Sequence, residues 1–139
     1  MMLAQPGDEE EVAKFEEAFD HSPSREETRR FLSDERHILL LGYLDDRPVG
    51  FASGVEVFHP DKGPELFLNE IGIIEEARRH GVARGLIEEL KRLGRERGCV
   101  SMWVLTDEDN GPAMGLYRDA GGAWDGRSQV MFEYRPLAS

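Results

Sequence analysis

The chain has 139 residues, 40% hydrophobic and 32% charged, a size and balance that predict one folded soluble domain and exclude extended disorder. Seventeen Lys and Arg against 28 Asp and Glu leave a formal net charge of −11, which disfavours non-specific nucleic-acid binding because phosphate counterions are displaced only by a positive field. The single Cys99 excludes an internal disulfide and a thiolate zinc cluster, and no apolar run approaches the roughly 20 residues of a spanning helix, so a cytoplasmic protein without a membrane partner is expected.

Val12, Phe15 and Phe19 recur at spacings of three and four, which predicts an amphipathic helix over 9–19. After the break at His21-Ser22-Pro23, Ser24 with Glu27 three residues on has capping-box spacing and starts a second helix toward Phe31 and Leu32. The apolar run 37–44, the turn residues Asp45-Asp46-Arg47-Pro48 and the β-branched and aromatic run 49–58 predict a hairpin. A proline-rich loop over 59–64 precedes a third strand over 66–74. The longest helix is expected over 75–97, where Val82, Leu86, Leu90 and Leu93 keep helical spacing, and Gly98 ends it. A strand over 99–106, an acidic loop, a short helix over 112–120 stopped by Gly121-Gly122, and a last strand over 127–134 complete the chain. The strand, helix, strand crossover around the long helix predicts an α/β fold with a mixed central sheet and helices on both faces.

The densest chemistry lies at Arg78-Arg79-His80-Gly81-Val82-Ala83-Arg84-Gly85, between a strand and the long helix. The first amides of a helix lack intrahelical partners and sit at the positive end of its macrodipole, so such a turn holds anions. Three arginines and a histidine add local positive charge to an acidic protein and point to a phosphate-bearing ligand. The plain alternative is that the small residues only let the helix pack and the arginines are solvated. His21, His37, His59 and His80 lack metal-ligand spacing, so no metal is expected, and no GxSxG motif supports hydrolysis. Cys99 and Trp103 read as packed residues, and Trp124 as loop packing.

A second segment, Asn110-Gly111-Pro112-Ala113-Met114-Gly115-Leu116-Tyr117 followed by Gly121, stands downstream. Arg78, Gly81 and Ala83 resemble the coenzyme A pyrophosphate loop of the GNAT (Gcn5-related) N-acetyltransferases. Asn110, Ala113, Leu116, Tyr117 and Gly121 match that family's second motif in order and spacing. Within the family, the run 70–83, the loop Asp107-Glu108-Asp109 and the ending Met131-Phe132-Glu133 are most similar to the aminoglycoside 3-N-acetyltransferase type I group. The resemblance leaves only a few residues, around Met2 to Ala4, for the family's first strand.

The resemblance implies a single N-acetyltransferase domain over 1–139 that uses acetyl-CoA as cosubstrate, bound where the third strand and the strand near Thr106 splay apart. A bulge, which Gly72 would permit, is expected to expose backbone groups there. Ile71, Gly72 and Ile73 would then hold the pantetheine arm and polarise the thioester carbonyl. Backbone at Arg79, His80, Gly81, Val82, Ala83 and Arg84, beside Arg78, would hold the pyrophosphate, and Asn110 the cofactor or its loop. Tyr117 would protonate the departing thiolate, its plain alternative being a packed aromatic. Glu70 is the leading base, because a carboxylate in an apolar strand is unusual and burial would strengthen it as a base; the alternative is a structural or outward-facing charge. Asp107, Glu108 and Glu133 would grip a small cationic amine substrate, the alternative for Asp107 and Glu108 being solvated loop charge. An aminoglycoside or polyamine acceptor, a protein or peptide amine, and a non-catalytic coenzyme A-binding module all stay open, as does a homodimer.

Overall fold

A computed structural model describes residues 1–138. The chain divides into two compact units, one over 1–105 and one from Thr106 onward. The first contains β1 (Met2–Leu3), α1 (Glu9–Ala13), α2 (Arg25–Ser33), β2 (His37–Leu44), β3 (Arg47–Val57), β4 (Glu65–Ile73), α3 (Val82–Glu96) and β5 (Ser101–Trp103), with 3₁₀ turns at Glu16–Ala18 and Glu75–Ala77. The second contains α4 (Gly111–Asp119). The sheet runs in the order β1-β2-β3-β4-β5, antiparallel up to β4 and parallel between β4 and β5.

Local chemistry accounts for most of these elements. The Ser24 hydroxyl accepts from the Glu27 amide at 3.0 Å and starts α2. Asp45 and Asp46 both have positive φ, 49° and 64°, the pair of left-handed residues that a two-residue hairpin needs between β2 and β3. Along β2 the side chains alternate between two helical layers. Leu39 and Leu41 join Val12, Phe15, Leu32 and Phe51 in a core under α1 and α2. On the opposite face Gly42 lies against Val82 and Leu86, and Gly54 against Leu90, so α3 covers that side. The mixed sheet with helices on both faces is therefore as expected, and β1 pairs with Leu40 and Leu41 where the short first strand was anticipated.

Three expectations need correction. The helix expected over 9–19 is interrupted: α1 stops at Ala13 and a 3₁₀ turn follows, with Val12 and Phe15 still buried together. The long helix begins at Val82 rather than at Glu75, because Arg79 (φ 67°) and Gly81 (φ 78°) are left-handed and break any helix through them. The last strand over 127–134 is not formed; these residues are irregular and exposed, since β-forming composition makes a strand only beside another strand.

Candidate active site

The site residues in the first unit lie along one edge of β4 and the turn beyond it. Only Glu65, Leu66 and Phe67 of β4 have partners on β5, in Ser101, Met102 and Trp103. Past Phe67, β4 continues to Ile73 while β5 has ended, so the two parallel strands part company and one edge of β4 is left without a strand neighbour among the described residues. Such an edge offers amide and carbonyl groups to a ligand. Ile71, Gly72 and Ile73 all stand in this stretch.

A bulge is present in β4, but not where glycine suggested. Ser53 pairs with Glu70 and Gly54 with Leu68, which makes Asn69 the extra residue. Gly72 has a different duty: a Cβ there would lie 2.2 Å from the Ala18 carbonyl oxygen and 2.8 Å from Phe51, so glycine lets the 3₁₀ turn after α1 press onto the sheet. Glu70 is exposed, against the expectation that an apolar strand would bury it, because the bulge places it among the outward residues. Opposite it, Ser53 is only 4% exposed and its hydroxyl has no hydrogen-bond partner among the described residues. Neither Ser53 nor Asn69 was singled out from the sequence; a serine between Ala52 and Gly54 carries no signal of its own.

The turn from β4 into α3 is clamped and then opens. Ile74 and Ala77 are buried with Val49, and Val82 packs on the same cluster. Between these anchors Arg78, Arg79, His80 and Gly81 are exposed. The His80 ring Nδ1 lies 3.0 Å from the Arg78 carbonyl oxygen and 3.2 Å from that of Ala77, so the tautomer protonated there donates to the turn and ties it back on itself. The N-cap of α3 is Gly81, which makes no side-chain cap hydrogen bond, and the first turn holds no acidic residue. The amides of Val82, Ala83 and Arg84 consequently have neither an intrahelical acceptor nor a capping oxygen. Gly81, left-handed at φ 78°, has nothing within 4 Å of where a Cβ would stand, which leaves room for a ligand against the backbone. The Arg84 guanidinium leans along the helix, its Nε 3.4 Å from Glu88, so Arg84 offers the site its amide rather than its charge.

The second unit holds Asp107, Glu108, Asn110, Tyr117 and Glu133. Asn110 is the N-cap of α4: its side-chain oxygen accepts from the Ala113 amide at 3.2 Å. Tyr117 is half-buried, and burial raises the pKa of its phenol above the ordinary value. Past α4, Gly122 donates to the Tyr117 carbonyl at 2.9 Å, and a Cβ on Gly122 would come within 2.8 Å of that oxygen. Asp107 and Glu108 are exposed, and Glu133 is ion-paired with Arg135.

Comparison with known proteins gives the family. Residues 6–121 match the acetyltransferase (GNAT) family. No curated protein sequence matches the chain. Among solved structures, an aminoglycoside acetyltransferase, HMB0005, from an uncultured soil metagenomic sample is 26% identical with a TM-score of 0.78, covering 99% of this chain and 97% of that one. A second soil metagenomic aminoglycoside acetyltransferase, meta-AAC0020 in complex with sisomicin, is 16% identical at a TM-score of 0.84, covering 99% and 95%. The ribosomal-protein-alanine N-acetyltransferase of Brucella melitensis biovar Abortus 2308 is 21% identical at a TM-score of 0.74, covering 95% and 97%. With the family match spanning most of its length, and the open α3 turn beside the parted strands, the chain belongs to the GNAT family of acetyltransferases.

Proposed function

We propose that this protein transfers the acetyl group of acetyl-CoA to a primary amine of a small polycationic molecule, an aminoglycoside or similar polyamine, by direct attack in a ternary complex. We further infer that residues 1–139 act as one N-acetyltransferase domain, a reading supported by a family match that crosses from the first unit into the second. The observation that carries the reaction class is the bare edge of β4 followed, through the turn over 74–81, by the uncapped start of α3.

The residues present fit acetyl-CoA. A diphosphate suits amides without acceptors, an exposed left-handed glycine and the neighbouring Arg78 and Arg79; the backbone at Arg79, His80, Gly81, Val82, Ala83 and Arg84 would hold it. Ile71, Gly72 and Ile73 on the bare strand edge would bond the pantetheine arm and stabilise charge developing on the carbonyl oxygen. When bound, acetyl-CoA supplies an acetyl group activated as a thioester.

The chain's own groups handle the protons. Glu70, exposed beside the bulge, takes a proton from the incoming ammonium directly or through water, so that a neutral amine attacks. Tyr117, a phenol that is protonated at neutral pH, gives its proton to the departing sulfur. Asp107, Glu108 and Glu133 draw in a substrate with several ammonium groups, in keeping with a net charge of −11. The short segments that resemble the type I aminoglycoside 3-N-acetyltransferases, and the structural neighbour crystallised with sisomicin, support this substrate class.

An amine panel with acetyl-CoA tests the reading. Turnover is expected with aminoglycosides or polyamines, and Tyr117→Phe and Glu70→Gln are expected to lower kcat by about tenfold or more with little change in KM for acetyl-CoA. Turnover with peptides alone would move the acceptor to the protein class. Binding without turnover would make the chain a coenzyme A-binding module.

A further inference from the structure

Along β4, Leu66 and Leu68 face α3: the Cβ position of Gly54 lies 3.2 Å from Leu66 and 3.5 Å from Leu90, and Leu68 is the partner of Gly54. Strict alternation would turn Glu70 to that face as well. The extra residue at Asn69 reverses it, so that Glu70 shares the opposite face with Gly72, whose Cβ position lies 2.8 Å from the Phe51 ring. Ser53, two residues beyond Phe51 on β3, stands on this face too, paired directly with Glu70.

A hydroxyl taken out of water requires a partner, and that of the buried Ser53 has none among the described residues. Its neighbours on this face are apolar along β3, in Phe51 and Val55, and opposite it on β2, in Leu39. The polar ones come from β4, where the bulge sets Asn69 and Glu70 against it, both exposed. Of these two the carboxylate is the stronger acceptor, because a hydrogen bond to a charged oxygen is roughly twice as strong as one between neutral groups. Opposed Cβ atoms in an antiparallel pair stand about 4.5–5.5 Å apart, so rotation of the long Glu70 side chain brings a carboxylate oxygen within reach of the serine hydroxyl.

We propose that Ser53 is the positioning residue of Glu70: its hydroxyl donates to one carboxylate oxygen and leaves the other turned toward the incoming ammonium. The inference rests on Glu70 acting as the base. The ammonium proton passes to the free carboxylate oxygen, directly or through water, while the Ser53 proton stays on its own oxygen throughout. An exposed glutamate visits many rotamers and a base works in one geometry, so the contribution of Ser53 is orientation. Glu70 exchanges between solvent and Ser53, and a buried hydroxyl that is unpaired whenever the carboxylate swings out is stability given up for the site.

Kinetics of Ser53→Ala, Glu70→Gln and the double variant, with acetyl-CoA and the amine of highest turnover in the panel, test the proposal. Ser53→Ala should lower kcat about tenfold with KM for acetyl-CoA unchanged, and its Tm should equal or exceed that of the wild type because no buried hydroxyl is left unpaired. In the Glu70→Gln background the same substitution should cost less than about twofold, since the two residues act as one unit. Full kcat in Ser53→Ala, or losses that multiply in the double variant, would overturn the proposal and leave Glu70 as the base; undiminished kcat in Glu70→Gln would remove the base and the proposal with it. A spectroscopic readout on the free chain requires no acceptor: the carboxyl carbon resonance of Glu70 should move on Ser53→Ala more than those of Glu75 and Glu76, and an unmoved resonance would refute the pairing.

Discussion

Trp103 stacks on Phe67 with ring centroids 4.3 Å apart and planes inclined by 25°, and this pair is the last rung joining β5 to β4. Beyond it the strands separate, so the stacked rings mark where the sheet stops and the proposed acetyl-CoA groove starts. Trp103→Ala should lower stability by about 1–2 kcal/mol in urea unfolding, less than for a fully buried ring because Trp103 is partly exposed. It should also raise KM for acetyl-CoA, whereas Trp103→Phe, which keeps a ring on Phe67, should do little to either.

The other end of β5 is held by Glu65. Ser101 donates its hydroxyl to Glu65 Oε2 at 2.9 Å, and His59 Nε2 lies 2.7 Å from Oε1. The Ser101 hydrogen bond, then that of His59, holds the carboxyl below the usual carboxylate range. A folded-state pKa below the unfolded one contributes stability above the unfolded value and loses it as pH falls through the folded one. The urea midpoint of the wild type should therefore drop as pH falls from about 5 to 3, and Glu65→Gln should drop less steeply over the same window.

Two glycines should respond oppositely to alanine. Gly72→Ala drives a methyl into the Ala18 carbonyl oxygen, 2.2 Å from the Cβ position, and should destabilise by about 1–3 kcal/mol or more. Gly115 lies inside α4 with nothing within 4 Å of its Cβ position, so Gly115→Ala should stabilise by about 0.5–1 kcal/mol. Paired thermal melts of the two variants check both signs.

Gly81 separates backbone strain from room for the ligand. With φ at 78° and open space around it, Gly81→Ala should cost about 1 kcal/mol through the left-handed conformation alone, while Gly81→Asn should cost less because asparagine tolerates that region. Both variants place a side chain against the anion site, so both should weaken coenzyme A binding in calorimetry even where stability is kept.

What could be read from the sequence follows from how local each feature is. The hairpin of β2 and β3 and the Ser24 cap depend on neighbouring residues and are visible in composition and spacing, whereas the start of α3 at Val82 depends on the left-handed Arg79 and Gly81, which helical spacing does not reveal. The bulge at Asn69 is invisible because it is defined by the partner strand: one inserted residue is recognised only when Ser53 and Gly54 are seen to pair with Glu70 and Leu68. For the same reason Gly72 suggested a bulge, when the backbone it accommodates comes from Ala18, distant in sequence. The parting of β4 and β5 depends on where β5 ends, at Trp103, although its apolar pattern runs on to Leu105. The segment over 127–134 has the composition of a strand, and composition cannot supply the neighbour a strand requires.

The account turns on the open amides of α3 holding a diphosphate, and calorimetric titration with coenzyme A and with pantetheine, which lacks that group, tests this most directly. Coenzyme A is predicted to bind at least about tenfold more tightly, or about 1.4 kcal/mol, with most of the difference lost when Arg78 and Arg79 are both changed to glutamate. Equal affinity for the two ligands, or an advantage for coenzyme A that survives the double charge reversal, would contradict it.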